Sequence, residues 1–221
     1  MKTAKLSAML LATLCLFSGL VSCSSDDNAT PQQELEQLTT EARGFLTGDI
    51  VLNIRAFMGE TDKTLLPTGC PIIFNFGWSQ TDPHSLKIDL KDFSMEGMPY
   101  VIKSFATDVV VTSLNSWEQD EYSQKGWIKL EGKDGWLNMQ SDNPKIPTVN
   151  KQMEGSSLIG YYNALTHEIN FKIDFAIMNV TANTILQKVD KSRLSRFDEE
   201  KAQYEADYQQ AKEEQGLSRG F

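Results

Sequence analysis

The stretch Ile169-Asn170-Phe171-Lys172-Ile173-Asp174-Phe175-Ala176-Ile177 puts an apolar side chain at every odd position. Asn170, Lys172, Asp174 and Ala176 fall between them. Side chains on a strand point to alternate faces, so this stretch has one buried face and one largely wet face. A wet face argues for antiparallel pairing, because parallel sheets are covered on both sides. The same period recurs upstream. Ile50, Leu52, Ile54 and Ala56 alternate with Val51, Asn53, Arg55 and Phe57; Ile72, Phe74, Phe76 and Trp78 alternate with Ile73, Asn75, Gly77 and Ser79; Leu86, Ile88 and Leu90 alternate with Lys87, Asp89 and Lys91. Further strands are predicted at Tyr100–Phe105, Asp108–Leu114, Trp127–Glu131, Trp136–Gln140, Leu158–Tyr162 and Asn179–Gln187. So many short strands predict a mainly β chain with a single antiparallel domain, either barrel-like or a sandwich.

Turn chemistry links the strands. Gly132-Lys133-Asp134-Gly135 separates two strands of similar length and reads as a hairpin turn, which would set Trp127 opposite Trp136. Asn163–Thr166 and Thr81–His84 read as turns, and Gly59–Pro71 and Ser141–Gly155 as longer loops. A short helix over Glu34–Arg43 precedes the strands, with Leu35, Leu38 and Ala42 on one face and Gly44 just past its end. The β-rich domain with this helix covers residues 34–189. Residues 190–221 carry eight acids and six bases and read as a charged C-terminal helix. Leu194, Phe197, Tyr204, Tyr208 and Ala211 form its apolar stripe, which Lys201 interrupts.

The N-terminus carries the most specific signal. Lys2 and Lys5 precede an uncharged run from Leu6 to Val21, and 16 residues are too few to span a bilayer. Residues 1–22 therefore read as a signal peptide. Leu20-Val21-Ser22-Cys23 resembles the bacterial lipobox. That resemblance implies cleavage before Cys23, lipidation of its sulfur and acylation of the new amino terminus, palmitate being one such chain. Several acyl chains give stable anchoring. Residues 23–33 then form a lipidated tether. Its start, Cys23-Ser24-Ser25-Asp26-Asp27, resembles Bacteroidetes-type surface lipoproteins, which implies a lipid-anchored outer-membrane protein exposed at the cell surface.

The body resembles uncharacterised calycin-like β lipoproteins of the same bacterial group. The resemblance rests on Leu46–Leu52, on Leu86–Ser94 with its Asp92-Phe93-Ser94 end, and on Ser156–Tyr162 leading into the Ile169–Ile177 strand. It implies a barrel or curved-sheet fold and no established activity.

Charge narrows the partners. The net charge is −9, and loss of residues 1–22 removes two lysines and no acid, giving −11. Such acidity excludes nucleic acid, whose phosphates need a basic surface. Cys15 leaves with the signal and Cys23 is used by lipid, so Cys70 stands alone and no internal disulfide forms.

The sequence holds no catalytic motif, no metal-binding set and no cofactor fingerprint. His84 and His167 sit in predicted turns, and Cys70 reads as a small apolar filler. Asp89 and Asp174 lie beside Lys87, Lys91 and Lys172, where cross-strand ion pairing accounts for them. Aromatic residues give the candidate ligand-binding set: Trp117, Tyr122, Trp127 and Trp136. Stacking beside carboxylates and amides suits sugar rings; cross-strand packing is the competing role for Trp127 and Trp136. The functional expectation is a non-enzymatic domain binding a glycan or an apolar small molecule. An envelope-complex component docking through the C-terminal helix onto a protein partner is the alternative, and an envelope hydrolase a third.

Overall fold

The alternating stretch around Phe171 forms β10 (Glu168–Asp174), with Ile169, Phe171 and Ile173 buried and Lys172 exposed. The computed structural model describes residues 30–94 and 100–216. The leader, Cys23 and the first part of the tether lie outside the described residues. β10 ends at Asp174, short of Ile177, because the chain turns back through Ala176, Met178 and Asn179, all at positive φ. The Asp174 carboxylate accepts the Ala176 N–H at 2.9 Å and fixes that turn.

The other strands are β1 (Gly48–Met58), β2 (Thr61–Asp62), β3 (Cys70–Trp78), β4 (Ser85–Phe93), β5 (Val101–Thr112), β6 (Trp127–Lys133), β7 (Trp136–Gln140), β8 (Val149–Gln152), β9 (Ser157–Asn163), β11 (Val180–Thr184) and β12 (Gln187–Lys188). Eight of them close a ring in the order β4-β3-β1-β11-β10-β9-β6-β5, sealed by antiparallel pairing of β4 with β5. The domain is a barrel, and not a sandwich. An eight-stranded barrel is just wide enough for side chains to fill it. Here they do: Phe74 meets Phe171 edge-on at 5.1 Å, and Phe175 meets Phe105 at 5.1 Å and Phe93 at 5.9 Å. These rings and the inward Ile and Leu residues are buried in one continuous cluster. The interior is core, which stabilises the fold by removing apolar surface from water.

The two helical elements foreseen at the termini pack on this barrel. α1 (Pro31–Phe45) is longer than the predicted Glu34–Arg43, because Thr30 and Gln33 form a capping box around Pro31. It buries Leu38 and Ala42. Arg43 donates to the Ser79 and Pro83 carbonyls, and Phe45 stacks on His167 at 3.6 Å. The C-terminal helix begins with a 3-10 turn (Lys191–Arg196) and continues as an α-helix (Phe197–Glu214). Its Tyr204 and Tyr208 are buried in the core cluster, and Tyr204 donates to the Thr64 carbonyl at 3.2 Å. Lys201, the break in the stripe, reaches the Cys70 sulfur at 3.1 Å. Leu194, predicted on the same stripe, is exposed.

The hairpin predicted at Gly132–Gly135 does not form. β6 and β7 run in line along one edge of β5: Thr112–Val109 pairs with Lys129–Gly132, and Ala106–Val101 with Trp136–Gln140. The two glycines serve close packing. A Cβ on Gly132 would stand 2.8 Å from the Thr107 hydroxyl, and one on Gly135 2.5 Å from the Phe105 ring. Asp134, at φ 52°, accepts the Gly155 N–H, while Gly135 donates to the Ser156 hydroxyl. The jog is thus locked to the next strand, with Thr107 and Asp108 facing three residues, as in a β-bulge. β8 and β9 return in line beside β7 and β6. β8 lies inside the predicted Ser141–Gly155 loop, where polar Asn150, Lys151 and Gln152 hid it. The strands β4-β5-β7-β8 form a wall that runs on past the barrel ring.

Candidate functional site

The four aromatic candidates divide into two places. Trp127 starts β6 and Trp136 starts β7, and about eight positions along the edge of β5, roughly 26 Å, separate them. They are therefore no cross-strand pair.

The first place is built around α2 (Ser116–Glu121), in a stretch without strand alternation. Asn115 caps it in a capping box with Glu118. Glu118 is 1% exposed and every contact it makes is a fastening. Its carboxylate accepts the Asn115 N–H at 2.8 Å, the Tyr161 hydroxyl at 2.9 Å and the Lys129 ammonium at 2.9 Å. Burial alone would raise this carboxyl, but the Asn115 amide, Lys129 and Tyr161 together hold it below the usual value. Glu118 in turn raises Lys129. Tyr122, just past α2, stacks on Tyr161 at 4.1 Å and leans on Trp127 at 4.8 Å. Its hydroxyl exchanges hydrogen bonds with the Asn170 amide. Trp117 is 62% exposed. A cleft of about 330 Å³ opens beside Tyr122 and Trp127, against Leu35 and Leu38 of α1.

The second place is the outer wall of β4-β5-β7-β8. Register fixes its rows. Asp89, Ala106, Trp136 and Gln152 face out in one row, and Lys91, Ser104, Asn138 and Asn150 in the next. Small residues of β5, Ala106 and Ser104, thus form a trough between larger neighbours. Trp136 is 52% exposed, and its ring is held by an indole N–H donated to the Asn150 amide oxygen at 2.8 Å. The trough leads along Ser104 and Asn138 to a cavity of about 470 Å³ whose lining includes Tyr100, Val101, Lys103, Gln140, Asp142 and Asn143.

Unmet hydrogen-bonding capacity separates the two places. Among the described residues, four buried side-chain oxygens have no partner: two belong to this wall, Asp89 Oδ1 and Asn138 Oδ1, and a third, the Tyr100 hydroxyl, lies at the cavity just before β5. Tyr100 is 2% exposed and lines the cavity, and burial lifts its hydroxyl to about 12. Burial also raises the Asp89 carboxyl, against the pull of Lys91 and Lys87. Buried polar groups are nearly always paired, so three orphans on the wall and at its end call for a reason. The ion pairing expected for Asp89 and Asp174 is absent among the described residues: neither carboxylate lies in a salt bridge.

Residues 23–216 match a protein family described as a domain of unknown function, DUF4903. The chain belongs to that family. No curated protein and no solved structure matches it. The DUF4903 match runs through the tether, the barrel and the C-terminal helix, so the helix is part of the shared unit.

The remaining nucleophilic and titratable candidates of this DUF4903 domain stand apart. Cys70 is fully buried and faces Lys201, and burial raises its thiol. The histidines lie by α1: His84 contacts Thr39, and His167 contacts the Tyr162 hydroxyl at 2.9 Å. Burial lowers His167. Among the described residues no three His, Cys, Asp or Glu side chains converge as a metal set. Sequence reasoning missed Tyr161, Asn170, Tyr100, Asn138 and Asn150. Alternation puts Tyr161 and Asn170 on wet faces, a usable signal; Tyr100 gave none, because its hydroxyl is orphaned only by the fold.

Proposed function

We propose that the protein is a lipoprotein anchored through Cys23 in the outer membrane and displayed at the cell surface, with a barrel that acts as a non-enzymatic binding domain. Its ligand lies on the wall of β4-β5-β7-β8. The observation that carries this reading is the exposed, hydrogen-bonded Trp136 ring on a wall where Asp89 and Asn138 each bury an oxygen without a partner, with the orphaned Tyr100 hydroxyl at the cavity beyond. A fixed aromatic platform costs little ordering entropy on binding, and unpaired groups gain most from a partner.

The filled interior supports an outer-wall site over a chamber inside the barrel. The separation of Cys70 from both histidines supports binding over nucleophilic catalysis. Anchoring is supported by the family match beginning at Cys23, where the leader would be removed. The tyrosines of the C-terminal helix are spent on the barrel, which favours this reading over docking through that helix.

The test uses full-length protein in detergent against a panel of soluble polysaccharides and a fluorescent fatty acid. Saturable retention that Trp136→Ala removes and Trp127→Phe keeps is the expected result. Retention untouched by Trp136→Ala would overturn the wall as the site. Cys23→Ser should move the protein out of the membrane fraction; a membrane-bound variant would contradict anchoring.

A further inference from the structure

The chemistry of the orphaned atoms specifies the ligand more closely, and this step rests on the wall being the binding face. Asp89 Oδ1 and Asn138 Oδ1 are acceptors, and the Tyr100 hydroxyl donates or accepts. The ligand must therefore bring several donors, spaced along a strand. It must also bring an apolar face for the Trp136 ring. It must carry no negative charge where it meets Asp89, since burying like charges together is costly.

Distance adds a length requirement. Trp136 and Gln140 are four residues apart on β7, about 13 Å along the strand. Asp89 lies two strands across from Trp136 with only Ala106 between, about 10 Å away. A single sugar ring on Trp136 cannot reach the cavity at Tyr100 and Gln140. A chain of linked rings can. Its C–H faces stack on indole, and its hydroxyls supply donors at each step. Both wall acceptors sit on half-buried side chains with soft terminal torsions, so a small rotation turns each oxygen toward a hydroxyl.

We infer that the wall binds a linear, uncharged oligosaccharide lying along β7, with one pyranose on Trp136 and the next units running over Asn138 into the cavity at Tyr100. The Asn138 amide and the Tyr100 hydroxyl set the register, while stacking supplies most of the affinity.

The experiment is calorimetric titration of the full-length protein in detergent with glucose, cellotetraose, mannotetraose and tetragalacturonate. Wild type, Trp136→Ala and Tyr100→Phe are compared, with melting temperatures as a check of folding. At least one neutral tetrasaccharide should bind about tenfold or more tighter than glucose and than tetragalacturonate. Tyr100→Phe should cost that tetrasaccharide about three- to tenfold and leave glucose unchanged. Binding that Trp136→Ala removes but that is indifferent to chain length, or prefers tetragalacturonate, overturns the oligosaccharide assignment and leaves the wall as the site. Saccharide binding indifferent to Trp136→Ala overturns both. No binding of either neutral tetrasaccharide overturns the ligand class.

Discussion

Two surfaces of this barrel carry tryptophan beside carboxylates, and only one has spare hydrogen-bonding capacity. At α2, Glu118 satisfies Asn115, Lys129 and Tyr161, while Tyr122 trades hydrogen bonds with Asn170. Trp127 is packed into that arrangement. At the β4-β5-β7-β8 wall, Trp136 stands exposed and Asp89, Asn138 and Tyr100 each hold an oxygen without a partner. The same residue types thus serve as a fastening in one place and as a platform in the other. What separates them is whether the polar atoms are already used.

The largest effect should come from breaking the fastening. Glu118→Ala leaves a largely buried Lys129 with only the longer 3.5 Å contact to Glu131, and it removes the half of the α2 capping box that the Glu118 side chain supplies. Urea unfolding should show a loss of about 2–4 kcal/mol. The acid limb of the stability profile should change too. Glu118 is held below its ordinary value of 4.5 in the folded chain, so its contribution is complete above that pH and disappears as pH falls through the folded value. Glu118→Gln should flatten that limb.

Tyr161→Phe removes one hydrogen bond but keeps the ring against Tyr122 and should cost about 1 kcal/mol in the same measurement. If both substitutions left stability unchanged, the α2 surface would be free to bind and the contrast would collapse.

The wall should respond in the opposite sense. Trp136→Ala should lower stability by less than about 1 kcal/mol, because half the side chain already faces water, while ligand retention is lost. The smallest effect is Asp89→Asn. Its carboxyl is raised in the folded chain, so the ionised form disfavours the fold at neutral pH and ceases to do so as pH falls toward the ordinary value of 3.8. The variant should gain up to about 1 kcal/mol at pH 7, and that gain should vanish in acid.

The barrel was legible where one face is wet. Ile169–Ile173 and Leu86–Leu90 announce their strands by alternation, and Leu38 with Ala42 announces the buried face of α1. Barrel closure was not legible, because it depends on β5 being long enough to carry β4 on one edge and both β6 and β7 on the other. Gly132 and Gly135 misled for a physical reason: a glycine that makes room for Phe105 or Thr107 has the same letter as one that turns a hairpin. Trp136 was visible as a candidate, yet its partners were not. Asp89 and Asn138 come from two strands and Tyr100 precedes a third, and only the register across β4, β5 and β7 sets their places relative to Trp136.

The most direct test measures saccharide retention and melting temperature side by side in Trp136→Ala and Trp127→Phe. Trp136→Ala should lose retention with an almost unchanged melting temperature, and Trp127→Phe should keep retention while melting lower. Retention lost in Trp127→Phe and kept in Trp136→Ala would contradict the wall as the site.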